Sequence, residues 1–163
     1  MKTKRLLSVV TILIFTGSLL LAACAPTAQA AKNNQVEKLP GSWNADVTTP
    51  NQGAFPALLT FTSDGSVIAA ESPLPFESSG QGNWINKSAG EVAYTFIALY
   101  GSEEGKNTGK LKVVGTLNLD SGKDSWSGPF KIDVFDADGQ VVFTDNGTVS
   151  LTHIAVETIQ QTE

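Results

Sequence analysis

The sequence predicts an all-β fold: about eight antiparallel strands in an up-and-down meander, closed into a barrel. Three observations lead there. From Gly41 onward, short runs rich in Val, Thr, Phe, Tyr and Trp alternate with clusters of Gly, Asp, Asn and Ser. These runs have strand length and are separated by turn signals. No stretch before the C-terminal tail keeps a 3.6-residue period long enough for a helix.

The first strand is Ser42 to Thr49, with Trp43, Ala45 and Val47 on one face. The second is Phe55 to Thr62, with Phe55, Leu59 and Phe61 on one face. Ser63-Asp64-Gly65-Ser66 reads as a tight hairpin turn, because Asp-Gly supplies the positive φ such turns need. Val67 to Glu71 is the third strand, stopped by Pro73 and Pro75, which open a loop to Gly82. A short fourth strand begins at Gly82-Asn83-Trp84-Ile85.

Glu91 to Tyr100 is the clearest strand. Val92, Tyr94, Phe96, Ala98 and Tyr100 share one face, and Ala93, Thr95, Ile97 and Leu99 the other, so cover on both sides is expected. Lys110 to Asp120 is the sixth strand and Ser125 to Phe135 the seventh, where Trp126, Phe130, Ile132 and Val134 alternate with Lys131 and Asp133. Asp136-Ala137-Asp138-Gly139 turns the chain. Gln140 to Thr144 and Gly147 to Val156 then form a last strand, with a bulge expected at Asp145-Asn146-Gly147. Short connections favour pairing of sequence neighbours, and closure removes exposed edges. A β-sandwich with crossed connections is the alternative.

The chain opens differently. Lys2, Lys4 and Arg5 precede an almost wholly apolar run from Leu6 to Leu21, followed by Ala22, Ala23 and Cys24. This is the layout of an export signal, and the run is short of the ~20 residues a spanning helix needs. Leu21-Ala22-Ala23-Cys24 resembles the lipobox of bacterial lipoproteins. The resemblance implies cleavage before Cys24, a diacylglycerol on its sulfur, and often a further acyl chain such as palmitate on the new amino group. Two or more acyl chains anchor stably where one holds marginally. Without the resemblance, an ordinary secreted protein cut after Ala28-Gln29-Ala30 is the alternative. Cys24 is the only cysteine, which excludes a disulfide within the chain.

The expected organisation is a signal peptide over 1–23, lipidated Cys24 and a flexible tether over 24–40, a barrel domain over 41–157 and a polar tail over 158–163. Ala25 to Pro40 carries almost no large apolar residue and is expected to bury none of the core. The leader takes three of the 11 Lys and Arg residues and none of the 16 Asp and Glu, so the remainder carries a net charge of −8. Such a balance argues against nucleic acid and against electrostatic adhesion to anionic lipid. The expected location is the cell envelope, outside the cytoplasm, held to a plasma or outer membrane through Cys24.

Gly41-Ser42-Trp43 opens the first strand as the Gly-x-Trp motif does in lipocalins and related calycin barrels. The resemblance implies that Trp43 packs across the closed end of the barrel. Gly82-Asn83-Trp84 repeats the pattern, and the later lipocalin motifs are absent. In size and strand count the chain is also similar to allene oxide cyclase and dirigent-type barrels, an analogy of fold that does not fix function.

Chemistry-bearing residues are few. His153, the only histidine, shares parity with Val149 and Leu151, which allows a lumenal or a rim position. Glu71 shares parity with Val67 and Ala69, so it is either lumenal or a strand-end residue. Asp136-x-Asp138-Gly139 lacks the later ligands of a calcium loop and reads as a turn. No metal site, cofactor or nucleophile–base arrangement is supported. The expected function is a non-enzymatic lipoprotein whose barrel binds a small hydrophobic or amphipathic ligand, with Trp43, Phe61, Tyr94, Phe96, Trp126, Phe130 and His153 as candidate lumen residues. A filled barrel acting as a structural or interaction module is the alternative. A cyclase or isomerase barrel, using lumenal His153 or Glu71, stands third.

Overall fold

The computed structural model describes residues 36–71, 76–121 and 124–159. The leader, Cys24 and the end of the C-terminal tail lie outside the described residues. A short 3-10 helix over Val36–Lys38 leads into eight strands: β1 Gly41–Thr49, β2 Gly53–Phe61, β3 Ser66–Glu71, β4 Gly80–Ser88, β5 Glu91–Gly101, β6 Asn107–Leu119, β7 Ser125–Asp136 and β8 Val141–His153. Each strand pairs antiparallel with its sequence neighbours, and β8 returns to β1 to close the barrel. The meander is the one the sequence predicts, and the crossed connections of a sandwich are absent among the described strands.

Alternation builds the interior. Along β1, Trp43, Ala45, Val47 and Thr49 are buried and the residues between them exposed. On β5, Val92, Tyr94, Phe96 and Ala98 point inward. A pleated strand sends successive side chains to opposite faces, so one face of each strand enters the core and the other meets solvent. The outer face of β5 is not covered as expected: Ile97 and Leu99 are exposed. Among the described residues the barrel is a single layer, with no second sheet or helix over this face.

Three further expectations are corrected. Residues 36–40 belong to the domain and not to a tether, because Val36 is buried and Leu39 is 0% exposed within the core. Two apolar residues in a polar run carry no periodic signal, yet one turn of 3-10 helix aims both at the barrel end. The last strand is continuous through Asp145-Asn146-Gly147. Its irregularity lies nearer the β7–β8 turn, where Val134 faces Phe143 and Phe135 faces Val141, leaving Val142 as the extra residue. β4 extends to Ser88, and its own register shift falls between Asn86 and Ser88.

Asp136-Ala137-Asp138-Gly139 is a hairpin turn. The Asp136 amide donates to the Gln140 carbonyl at 3.0 Å, and the Gln140 amide donates to Asp136 Oδ1 at 2.8 Å. That carboxylate therefore serves the turn. Among the described residues no cluster of three His, Cys, Asp or Glu side chains forms a metal site.

Candidate functional site: the open end of the lumen

Strand direction gives the barrel two ends. The starts of β1 and β7, the end of β8 and the β2–β3 turn meet at one. There Leu39 enters the lumen and Trp43 lies across it, 2% exposed, its indole N–H donating to the Leu39 carbonyl at 2.8 Å. Phe61, Leu117, Trp126 and Leu151 fill the space around them. Trp84 adds an indole N–H bond to the Thr62 carbonyl at 3.0 Å and meets Phe61 edge to face. Each of these large side chains contributes several kcal/mol of burial, roughly 3–5 for a tryptophan measured against alanine.

Gly41 is required here. Its φ of 147° suits glycine, and a Cβ at this position would come within 3.0 Å of His153 Nε2. Trp43 thus occupies the closed-end position that the Gly-x-Trp resemblance implies. His153 lies beside it on the rim, edge-on to the Trp43 ring at 5.0 Å, and is exposed. Its inward parity is real, but the strand ends there, so the imidazole faces solvent outside the filled lumen.

The opposite end is built otherwise. Tyr94, Phe96, Phe130, Phe55 and Val113 wall a cavity of about 30 Å³, and Glu71 stands at its edge. Sites that enclose a drug-sized molecule run to roughly 300–1,000 Å³. At ~10–15 Å³ of centre space per water, this cavity accepts about two waters or the end of a slim group. Of the candidate lumen residues, Tyr94, Phe96 and Phe130 line it. Trp43, Phe61 and Trp126 belong to the plug, and His153 to the far rim.

The wall above the cavity is low at β3, which pairs with β2 over Ala57 to Phe61 and with β4 over Gly80 to Asn83. Beyond it, residues 76–78 run along the top of β5. The Gly101 amide donates to the Phe76 carbonyl at 2.8 Å and the Ser78 amide to the Leu99 carbonyl at 2.9 Å. This bridge sets Glu77 opposite Tyr100. Bridge partners project to the same face, and Tyr100 carries the inward parity of β5. Phe76 adopts a φ of 76°, unusual for a bulky side chain, and is exposed at the rim.

The electrostatics of this end follow from desolvation without a counter-charge. Partial burial raises the Glu71 carboxyl above its ordinary value. Burial, with the nearby Glu71 charge, pushes Glu77 up to about 7. Burial and both carboxylates push the Tyr100 phenol up to about 12. The described ion pairs join Lys38 to Asp124, Lys87 to Glu91, Lys106 to Glu104 and Lys131 to Asp133; none reaches Glu71 or Glu77. On β8, Asp145 is buried across from Ile132. Its Oδ1 accepts from the Asn146 amide, and Oδ2 has no partner among the described residues.

The parity argument places Glu71 correctly, and the structure makes it both lumenal and strand-ending. Glu77 carries no sequence signal, since it sits in a non-strand segment after two prolines and is positioned only by the bridge to β5. His153 and Glu71 lie at opposite ends, so the acid–base pair that an isomerase-type lumen needs is not assembled from them.

No family model matches the chain, and no curated protein matches it. Among solved structures it is similar to a redesigned β-barrel, at 21% identity and a TM-score of 0.44, covering 74% of this chain and 96% of that one.

Proposed function

We propose that this chain is a lipid-anchored, extracytoplasmic protein of the bacterial envelope whose barrel holds the end group of a small amphipathic ligand at its open end. The leader through Leu21-Ala22-Ala23-Cys24 supports the anchor. One observation carries the binding reading: an apolar-walled cavity with the Glu71 carboxylate at its edge lies at one end, while the other is plugged by Leu39 and Trp43. The cavity size limits the contact to an end group, with the body of the ligand outside the barrel. The described chain enters the domain at the plugged end, through Val36 and Leu39. The reading is non-enzymatic.

The test is native mass spectrometry of the full chain extracted in mild detergent from its own organism. The reading expects a diacylglyceryl mass on Cys24 and a reproducible small-molecule adduct lost on organic extraction. A clean apo mass, with no thermal shift against a panel of small amphiphiles, contradicts the ligand. Membrane fractionation unchanged by Cys24→Ala contradicts the anchor.

A specific observation favours a second reading, a filled barrel that works through its outer wall. The cavity is small, and Leu58, Ile68, Ile97 and Leu99 are exposed on the outer surface. The apo result above selects it.

A further inference from the structure

The charges of the barrel are segregated. Acidic residues gather in the turns at its two ends, as Asp64 and Asp124 do at the closed end and Glu104 and Asp138 at the open one. Strands β8, β1, β2 and β3 carry no Lys or Arg. The outer wall of β5, β6 and β7 differs. Alternation turns Ile97 and Leu99 of β5, Lys110, Lys112 and Val114 of β6, and Lys131 of β7 outward.

Register pairs these residues across the strands. Leu99 lies opposite Lys110, Ile97 opposite Lys112, and Val114 opposite Lys131. All three aliphatic side chains are exposed. A lysine stem can cover such apolar surface while its ammonium stays in water. One carboxylate, Asp133, serves the three ammonium groups. It pairs with Lys131 at 2.8 Å, accepts from the Thr144 hydroxyl at 2.7 Å and lies opposite Lys112. Lys110 makes no ion pair among the described residues; its ammonium stands 5.1 Å from the centre of the Phe135 ring. The other carboxylate on this side, Glu91, sits at the closed end and is paired with Lys87 at 2.7 Å. The wall is therefore net positive on a net negative molecule.

A surface that pairs each ammonium with an aliphatic group matches an anionic bilayer in two ways. Headgroup phosphates answer the lysines, and the headgroup–acyl boundary answers the aliphatics. The overall negative charge opposes such a partner for the molecule as a whole. Salt, however, screens exposed charges beyond about 8 Å, so the wall's own sign governs the contact. Under the anchor reading a bilayer is also close at hand. Eleven residues separate Cys24 from Val36, a span of at most about 40 Å. Such a link makes a weak contact intramolecular and raises its effective concentration.

We infer that the outer wall of β5, β6 and β7 docks on an anionic lipid surface, with Lys110, Lys112 and Lys131 on headgroup phosphates and Ile97, Leu99 and Val114 at the acyl boundary. This goes beyond the ligand reading and rests only on its anchor; what the cavity holds does not enter.

The test reconstitutes the full acylated chain into vesicles of phosphatidylcholine, alone or mixed equally with phosphatidylglycerol. A nitroxide is attached at Leu99→Cys on the wall, or at Asn44→Cys on β1 across the barrel. An acylated Cys24 has no thiol to compete for the label. Oxygen and a water-soluble nickel chelate then report lipid and water contact by power saturation. The Leu99 label is expected in lipid in the mixed vesicles and in water on phosphatidylcholine, and the Asn44 label in water on both. Lys110→Gln and Lys112→Gln should each lower the docked-to-free ratio about fivefold, and high salt should release the wall. A Leu99 label in water on both vesicles, or in lipid equally on both, overturns the inference. A Leu99 label shielded from oxygen and nickel alike on both marks a protein partner or a second copy on this wall, and also overturns it. Failure of the anchor reads separately: a chain that does not float with either vesicle, or a wild type that takes the label at Cys24, overturns the anchor and the inference with it. Circular dichroism of each variant separates lost docking from lost fold.

Discussion

At the closed end of the barrel, Leu39, Trp43 and Trp126 are buried together and the Trp43 indole is bonded to the Leu39 carbonyl. At the open end, Glu71 lines a small cavity, and Glu77 and Tyr100 lie close enough to it to feel its charge. The same eight strands supply both ends. One is filled by large apolar side chains and gains stability from packing; the other leaves carboxyl groups partly desolvated, which costs stability. Such local cost is common where a surface is kept for something outside the protein, because binding recovers it. The difference separates stability from function along a single axis.

The sharpest way to break this contrast is to truncate at both ends. Trp43→Ala is expected to cost about 3–5 kcal/mol and Leu39→Ala about 2–5, by removing buried volume that the rigid barrel cannot refill. Phe55→Ala, half-buried at the mouth, is expected to cost about 1–2 kcal/mol. Urea unfolding of the three variants checks the ranking, and equal losses would erase the distinction.

A finer test lies within the plug. Trp43 and Trp126 are both fully buried, yet the Trp126 indole N–H has no partner among the described residues. Trp43→Phe removes packing and a hydrogen bond, leaving the Leu39 carbonyl unpaired. Trp126→Phe removes packing alone. The first should therefore cost about 1 kcal/mol more than the second.

At the mouth the corresponding signature is pH. The folded Glu77 carboxyl titrates near 7, against 4.5 for the unfolded chain. The folded state thus binds this proton more tightly, so its stabilising contribution is full below pH 4.5 and is lost as pH rises through 7. Thermal unfolding of the wild type and Glu77→Gln should show a wild-type midpoint that falls over this range relative to the variant. Partial exposure keeps the effect modest. Smallest of all is the exposed Lys38–Asp124 pair at 2.7 Å. Lys38→Met should leave the unfolding midpoint essentially unchanged, since solvent screens such pairs.

The strands were legible because alternation survives in nearly every one of them, and Asp-Gly turns marked two hairpins. Reading failed where tertiary context outweighed local pattern. Val36 and Leu39 sit in a polar run with no period, so nothing announced that one short turn would carry them into the core. The apolar outer face of β5 suggested a covering layer, whereas in a one-layer barrel Ile97 and Leu99 stay exposed. The site was half legible. Parity placed Tyr94, Phe96, Phe130 and Glu71 on inner faces, but it does not report height along the barrel. Trp43, Phe61, Trp126 and His153 share the same inward parity and belong to the other end. Glu77 was silent, because an isolated bridge to Tyr100 leaves no trace in the sequence.

The most direct test of the two-ended account is an amide and indole NMR titration of the chain with hexanol, a small amphiphile. The three tryptophans supply reporters on the closed half: Trp43 and Trp126 in the plug and Trp84 beside it. The account predicts shifts at Glu71, Glu77, Tyr100 and Gly101, with the Trp43 and Trp126 indole signals unmoved. Shifts centred on those indoles and His153, or spread over the outer faces of β3 and β5, would contradict it.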